Sequence, residues 1–216
     1  MNPKSEVFNC DCVEYMKTLS DKCFDLAIAD QNYGIGISSN PVRQKHEKKS
    51  WDNSTPDNIF FQELFRVSKN QIIWGGNYFD LPPTKGFIVW DKKQPIDFTL
   101  AMCEYAWTSF DKPAKMFRQH VASNGEDKIH PTQKSVALYA WILKYYAQEG
   151  DSIFDPMMGS QSSRIAAYKM GYDYIGCEID SDYFNNGCER FEKECLGITH
   201  DNSGNTITQP TLFLDL

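Results

Sequence analysis

The stretch Ile153-Phe154-Asp155-Pro156-Met157-Met158-Gly159-Ser160-Gln161-Ser162-Ser163 decides how the chain folds. An apolar run ends in an acid at Asp155, and a turn of small residues follows. Residues 162–170 then have the composition of a helix stopped by Gly171. Residues 174–179 return to a strand pattern containing Glu178. Strand, short turn, helix and strand form the repeating unit of a parallel sheet. Outward from it, residues 7–10, 24–30, 71–74, 87–90 and 105–110 read as further strands, and 12–19, 57–67 and 135–147 as helices. The run Phe24-Asp25-Leu26-Ala27-Ile28-Ala29-Asp30 has the near-continuous apolar character of a strand covered on both faces. Thr55-Pro56 offers an N-cap and a first-turn proline to a helix carrying Phe60, Phe61, Leu64 and Phe65 at helical spacing. Alternating strands and helices predict an α/β layer architecture.

Composition narrows the function classes. The chain has 216 residues, 41% of them hydrophobic and 24% charged, with a formal net charge of −7. No apolar run approaches the roughly 18 residues a membrane span needs, and no basic-then-apolar leader opens the chain, so membrane and secreted classes are not expected. Seven cysteines without a C-x-x-C pair predict reduced thiols in a cytoplasm and no metal cage. The acidic balance argues against a wholly nucleic-acid-binding surface but leaves room for a local basic patch.

Three strand ends carry chemistry. At the first, Asp155, Met157, Gly159, Ser160, Ser162 and Ser163 form a turn where backbone can approach a ligand and a helix presents free N–H groups. At the second, Glu178 follows Asp155 by 23 residues, a spacing at which an acid accepts hydrogen bonds from ribose hydroxyls. Neither G-x-G-x-x-G nor G-x-x-x-x-G-K-[ST] occurs, so an adenosine-containing cofactor other than a dinucleotide or ATP is favoured. At the third, Asp30-Gln31-Asn32-Tyr33 places a carboxylate and an aromatic where they can grip a flat, amine-bearing group; the same residues also suit a tight turn with a packed tyrosine.

Taken in order, these stretches resemble the amino-group DNA methyltransferases that use S-adenosylmethionine. Asp30-Gln31-Asn32-Tyr33 stands where that family has Asp-Pro-Pro-Tyr. The turn beginning Asp155-Pro156 resembles its Asp-Pro-Phe-x-Gly-Ser-Gly-Thr-Thr, and His130-Pro131-Thr132-Gln133-Lys134 resembles the segment ahead of its cofactor helix. Asn9-Cys10-Asp11-Cys12 is similar to its Gly-Asp after the first strand. The catalytic segment precedes the cofactor loop, the order of the permuted group called β. The resemblance spans about residues 6–195. It implies a Rossmann-like methyltransferase fold, with a mostly parallel central sheet and helices on both faces. It also implies one catalytic domain over 1–198, a short target-recognition stretch about 111–129, and a linker and tail over 199–216. The implied activity is methyl transfer to adenine N6 of a base flipped out of double-stranded DNA, in a bacterial or phage setting that includes restriction-modification. Cytosine N4 or RNA as the target, and a catalytically impaired relative, stand as alternatives.

The implied roles follow residue by residue. Asp30 and the Gln31 carbonyl accept from the target amine, and Tyr33 stacks on the base. Asp11 and Lys134 flank the ends of the cofactor, Asp155, Met157, Gly159, Ser160, Ser162 and Ser163 cradle it, and Glu178 takes its ribose. Two departures stand out. Gln31 and Asn32 replace both prolines and give up their rigidity. Gln161 replaces a glycine, so its side chain must point away from the cofactor. Phosphate contacts are expected from Arg43, Lys45, Lys48 and Lys49 and from Lys112, Lys115, Arg118 and Lys128. His130 is expected to be structural, and Trp74, Trp90, Trp107 and Trp141 to be core, with Trp51 a DNA contact. The tail, with Gln209, Leu212 and Phe213, resembles the Gln-x-x-Leu-Phe peptide by which partners dock on bacterial sliding clamps. A homodimer is a further expectation.

Overall fold

The computed structural model describes residues 2–34, 55–97, 101–120, 128–200 and 206–208. They fall into two compact units, one of Met1–Cys12 with Lys128–Leu216 and one of Val13–Asp127. In chain order the elements are β1 (Ser5–Asn9), α1 (Cys12–Lys17), β2 (Phe24–Ala29), α2 (Asn58–Val67), β3 (Ser68–Trp74) and a 3-10 turn (Gly76–Tyr78). Then come β4 (Phe87–Asp91), β5 (Cys103–Thr108), β6 (Lys115–Arg118), α3 (Val136–Tyr146), β7 (Ser152–Asp155) and α4 (Ser162–Lys169). The chain continues with β8 (Asp173–Glu178), α5 (Ser181–Phe191), a π-helical turn (Glu192–Leu196), β9 (Ile198–His200) and β10 (Thr206–Thr208).

In the first unit β8 lies between β1 and β7, all parallel, with Asn9 beside Glu178 and Asp155 beside Gly176. Parallel pairing brings the carboxyl ends of all three strands to one edge. Ile153, Phe154 and Tyr174 are buried along the strands, and Leu138, Ile142 and Ile165 along α3 and α4, which pack together. Ser135 caps α3 by accepting from the Leu138 amide at 3.1 Å. Gly171, at φ +82°, ends α4 as expected.

In the second unit β2 pairs with β3 in parallel, β3 with β5 and β5 with β4 antiparallel, and β4 with β6 in parallel. Leu26, Ala27, Ile28 and Ala29 are all buried, which confirms a strand covered on both faces. Helix α2 buries Phe60, Leu64 and Val67. Its Arg66 donates to the carbonyls of Met16 in α1 and Leu19 just past it, so one guanidinium ties α2 to α1 and the turn that follows. Most pairings among the described residues are parallel, as the strand patterns anticipated.

Several expectations are corrected. The N-cap of α2 is Asp57, not Thr55: Asp57 is extended and its carboxylate accepts from the Ile59 and Phe60 amides at 3.0 and 3.2 Å. Pro56 therefore precedes the cap. The 111–129 stretch contains strand β6, and the 199–216 linker contains β10, paired antiparallel with β9. Trp74, Trp90 and Trp107 are core, whereas Trp141 is half-buried beside Tyr145. Among the described residues no helix is long and apolar enough to cross a membrane, and no cluster of acids, histidines or cysteines is arranged to hold a metal ion. Trp51 lies outside the described residues.

Replacing Asp57 with alanine removes two charge-assisted caps and should lower stability by about 1 kcal/mol, seen as a lower urea midpoint. Thr55→Val should leave the midpoint in place. Equal losses from both variants would put the cap back at Thr55.

Candidate functional site

The strand-end turn of the first unit is built by its own side chains. Asp155, buried, accepts from the Met157 amide at 3.0 Å and from Ser163 Oγ at 2.6 Å. Ser163 also meets the Tyr174 hydroxyl at 2.9 Å. Ser162 Oγ lies 3.2 Å from Ser160 Oγ and accepts from Arg190 Nη1 at 2.8 Å. The side chains of Asp155, Ser162 and Ser163 thus hydrogen-bond within the unit and shape the turn. Gly159 takes φ +47°, and its amide donates to Glu178 Oε2 at 2.9 Å. The other Glu178 oxygen accepts from the Asp180 amide at 2.8 Å. Burial raises the Glu178 pKa above the ordinary carboxylate range, against the lowering effect of these amides.

The other expected cofactor residues belong to the same unit. Asp11 is exposed just past β1, and the amide of Cys10 between them donates to the Glu178 carbonyl. Lys134 is buried, and Met157 is half-buried. His130 Nδ1 accepts from the Thr132 amide at 3.3 Å, and its ring packs on Tyr183 and above Gly159. All seven cysteines are free, and Cys10 and Cys177 bring their sulfurs within 3.8 Å. Burial holds Cys177 protonated and raises the Cys12 thiol to about 12, so both behave as small apolar groups.

Gln161, in place of a glycine, sits at φ +59° and is fully buried. Its side chain turns away from the Gly159 turn. The amide donates to the Phe184 carbonyl at 3.1 Å, and its oxygen accepts from Arg164 at 2.8 Å. A Cβ at Gly187 of α5 would lie 2.6 Å from Gln161 Cγ, so the extra side chain is housed by a missing one. Helix α5 was not among the expected elements, and its Asn185-Asn186-Gly187 has low helix propensity. The available signal was Asp180, which accepts from the Asp182 and Tyr183 amides as N-cap.

In the second unit the Asp30 segment leaves the carboxyl end of β2. The Tyr33 hydroxyl donates to Asp30 Oδ1 at 3.0 Å. Gln31 is buried, and its Nε2 donates to the Trp74 carbonyl at 3.1 Å, at the end of neighbouring β3. Its Oε1 is buried without a hydrogen-bond partner. Asn32 is half-buried. The Tyr33 ring is already stacked, against Tyr78 at 5.1 Å and 14°.

The basic residues are only partly placed. Lys112 lies over the Phe110 ring at 5.1 Å, and Arg118 reaches Asp91 at 3.5 Å. Strand alternation puts Lys115 and Arg118 of β6 on opposite faces, so they do not make one patch. Lys128 is exposed. Arg43, Lys45, Lys48, Lys49, Gln209, Leu212 and Phe213 lie outside the described residues.

Gly187→Ala should cost about 1–3 kcal/mol through overpacking against Gln161. Gln161→Gly in the same chain should recover most of that loss, measured by urea unfolding. Additive losses would show that the two positions do not share one space.

The chain shares sequence and fold with known proteins. The matched segments below form about a quarter of each curated relative. Type II methyltransferase M.HpaI of Haemophilus parainfluenzae is 34% identical over 75 residues, covering 35% of this chain and 24% of that protein. DNA adenine methyltransferase YhdJ of Escherichia coli K12 is 38% identical over 67 residues, covering 31% and 23%. The crystal structure of an M1.HpyAVI complex with S-adenosylmethionine has the same fold, with a TM-score of 0.59 and 19% identity over 86% of this chain and 98% of that one. The N6/N4 methyltransferase family described as DNA methylase matches residues 35–189, a span that holds the glycine turn and Glu178 and begins just after Tyr33. With that span matched and its strand–turn–helix in place, the chain belongs to the N6/N4 DNA methylase family.

Proposed function

We infer that the protein is an S-adenosylmethionine-dependent DNA methyltransferase acting on the N6 amino group of adenine. The observation that carries this reading is the Glu178–Gly159 bond, an acidic strand end locked to the glycine turn of the neighbouring strand. The residues there suit the cofactor. The Glu178 oxygens accept the Gly159 and Asp180 amides, and the carboxylate has further acceptor capacity for a ribose hydroxyl. Asp11 supplies an exposed carboxylate for an amine, and buried Lys134 a cation for a carboxylate. A Cβ at Gly159 would meet nothing closer than the His130 ring at 3.7 Å, so the turn is not packed shut. S-adenosylmethionine supplies an electrophilic methyl group on a sulfonium sulfur.

The second unit supplies the acceptor chemistry. Adenine's amino lone pair is delocalised into the ring, so the amine is a poor nucleophile. Asp30 and the Gln31 carbonyl accept its hydrogens, let the nitrogen pyramidalise and stabilise the positive charge that develops there. The Tyr33 hydroxyl orients Asp30. The bond from Gln31 to Trp74 fastens the residue whose carbonyl is needed, in place of a proline's fixed φ. An Asp at the head of the tetrapeptide and the adenine-specific description of the E. coli relative favour adenine over cytosine. Lys112, Arg118, Arg43, Lys45, Lys48 and Lys49 hold phosphates, and the segment with Gln209, Leu212 and Phe213 docks on a sliding clamp. Free thiols and a DNA substrate support a cytoplasmic location.

The deciding experiment transfers labelled methyl from S-adenosylmethionine to unmethylated genomic DNA, followed by digestion to nucleosides. Label in N6-methyladenine is expected. Label in N4-methylcytosine would reassign the base, and none in DNA would overturn the reading. Gln31→Leu should slow transfer about 10- to 100-fold with little change in cofactor affinity. Because folding raises the Glu178 pKa, protonation relieves the buried charge, and its contribution to apo stability grows as pH falls through that pKa. Ribose hydroxyls need the carboxylate, so cofactor affinity should change the opposite way and weaken over the same fall. Glu178→Gln should flatten that dependence in calorimetric titrations.

A further inference from the structure

Tyr78 stands apart from the other aromatics of its unit. Phe60, Phe61 and Phe79 contact one another in series, with ring centroids 5.1 and 5.2 Å apart, and Phe79 meets the edge of Tyr33 at 6.3 Å. Tyr78 continues outward from Tyr33 as a near-parallel stack at 5.1 Å and 14°, and it remains 47% exposed. Its exposure does not come from a loose backbone. The Gly75 amide donates to the Tyr105 carbonyl of β5, and the Tyr78 amide donates back to the Gly75 carbonyl, both at 2.8 Å. Gly75 is left-handed at φ +68°, and a Cβ there would lie 2.3 Å from Tyr33 Cε1 with the flanking ring atoms barely farther, which marks an approach onto the ring face. A Cβ on Gly76 would strike Trp107 Cβ at 2.5 Å. Two glycines thus seat one tyrosine against the turn and present a second beside it.

We propose that Tyr78 is a nucleobase-binding residue that extends the Tyr33 platform, its exposed ring stacking on a base of the DNA substrate. This rests on the reading of the chain as a DNA methyltransferase. Every base has a π-face, so stacking needs no hydrogen-bond code and suits an aromatic held rigid at the rim of a site. The tyrosine hydroxyl is not needed for the contact; the flat ring is.

The test uses the full chain and a short DNA duplex carrying 2-aminopurine, whose fluorescence reports unstacking and restacking of the base without any methyl transfer. Tyr78→Leu keeps apolar bulk but loses the ring, and should weaken duplex binding about tenfold. S-adenosylmethionine affinity and the thermal midpoint should stay unchanged, and Tyr78→Phe should match the wild type in all three. Wild-type binding by Tyr78→Leu, or an equal loss in Tyr78→Phe, would overturn the proposal, as would a wild-type chain that does not bind the duplex. Methyl transfer is measured alongside. A wild type that transfers no methyl, with Tyr78→Leu still weakening the duplex, would sink the methyltransferase reading and leave the stacking contact standing.

Discussion

The hydrogen bond from the Gly159 amide to the buried Glu178 carboxylate is the constraint on which the first unit's site depends. A carboxylate taken out of water is costly unless it is satisfied, and here the Gly159 and Asp180 amides satisfy it. One of those amides belongs to the turn after β7 and the other to the N-cap of α5, so one side chain couples two strand ends and a helix start. The interior of the turn obeys the same logic. Asp155, Ser163 and Tyr174 hydrogen-bond in one chain, and Ser160, Ser162 and Arg190 in another, so these residues also hold the backbone of the turn in shape.

Both departures from the family's motifs are met by a compensating partner. Gln161 gives up a glycine's freedom, and its side chain is taken up by Phe184, Arg164 and the space over Gly187. Gln31 gives up a proline's rigidity and regains a tether through Trp74, while its amide oxygen stays buried and unpaired. A buried unpaired acceptor carries a desolvation cost. The position therefore holds its glutamine against a local penalty, which fits a segment that serves geometry more than stability.

Local signals were enough for the long, strongly patterned elements. The doubly buried β2, the helix α3 with Ser135 before it, and α4 with Gly171 after it were legible because hydrophobic period and end signals agree there. Where signals competed, reading failed. Thr55-Pro56 resembles a helix start, but Asp57 is the residue whose carboxylate reaches two amides. No element was expected over 181–191, where Asn185-Asn186-Gly187 has low helix propensity, yet burial of Tyr183, Gly187, Arg190 and Phe191 keeps α5 helical. Strand β6 has only four residues and exists because β4 offers an edge to pair with.

The sequence by itself determined the α/β class, the order of the strand-end segments and the identity of the acids at their ends, because these follow from periodicity and from which residue stands at each strand terminus. Only the tertiary structure decided what those residues do with their polar atoms. Whether Asp155 faces a ligand or a serine, whether Gln161 points inward, and whether Tyr33 stands alone or stacked on Tyr78 all depend on partners far along the chain. Hydrogen bonds and ring contacts are set by three-dimensional neighbours, and no local pattern in the sequence records them.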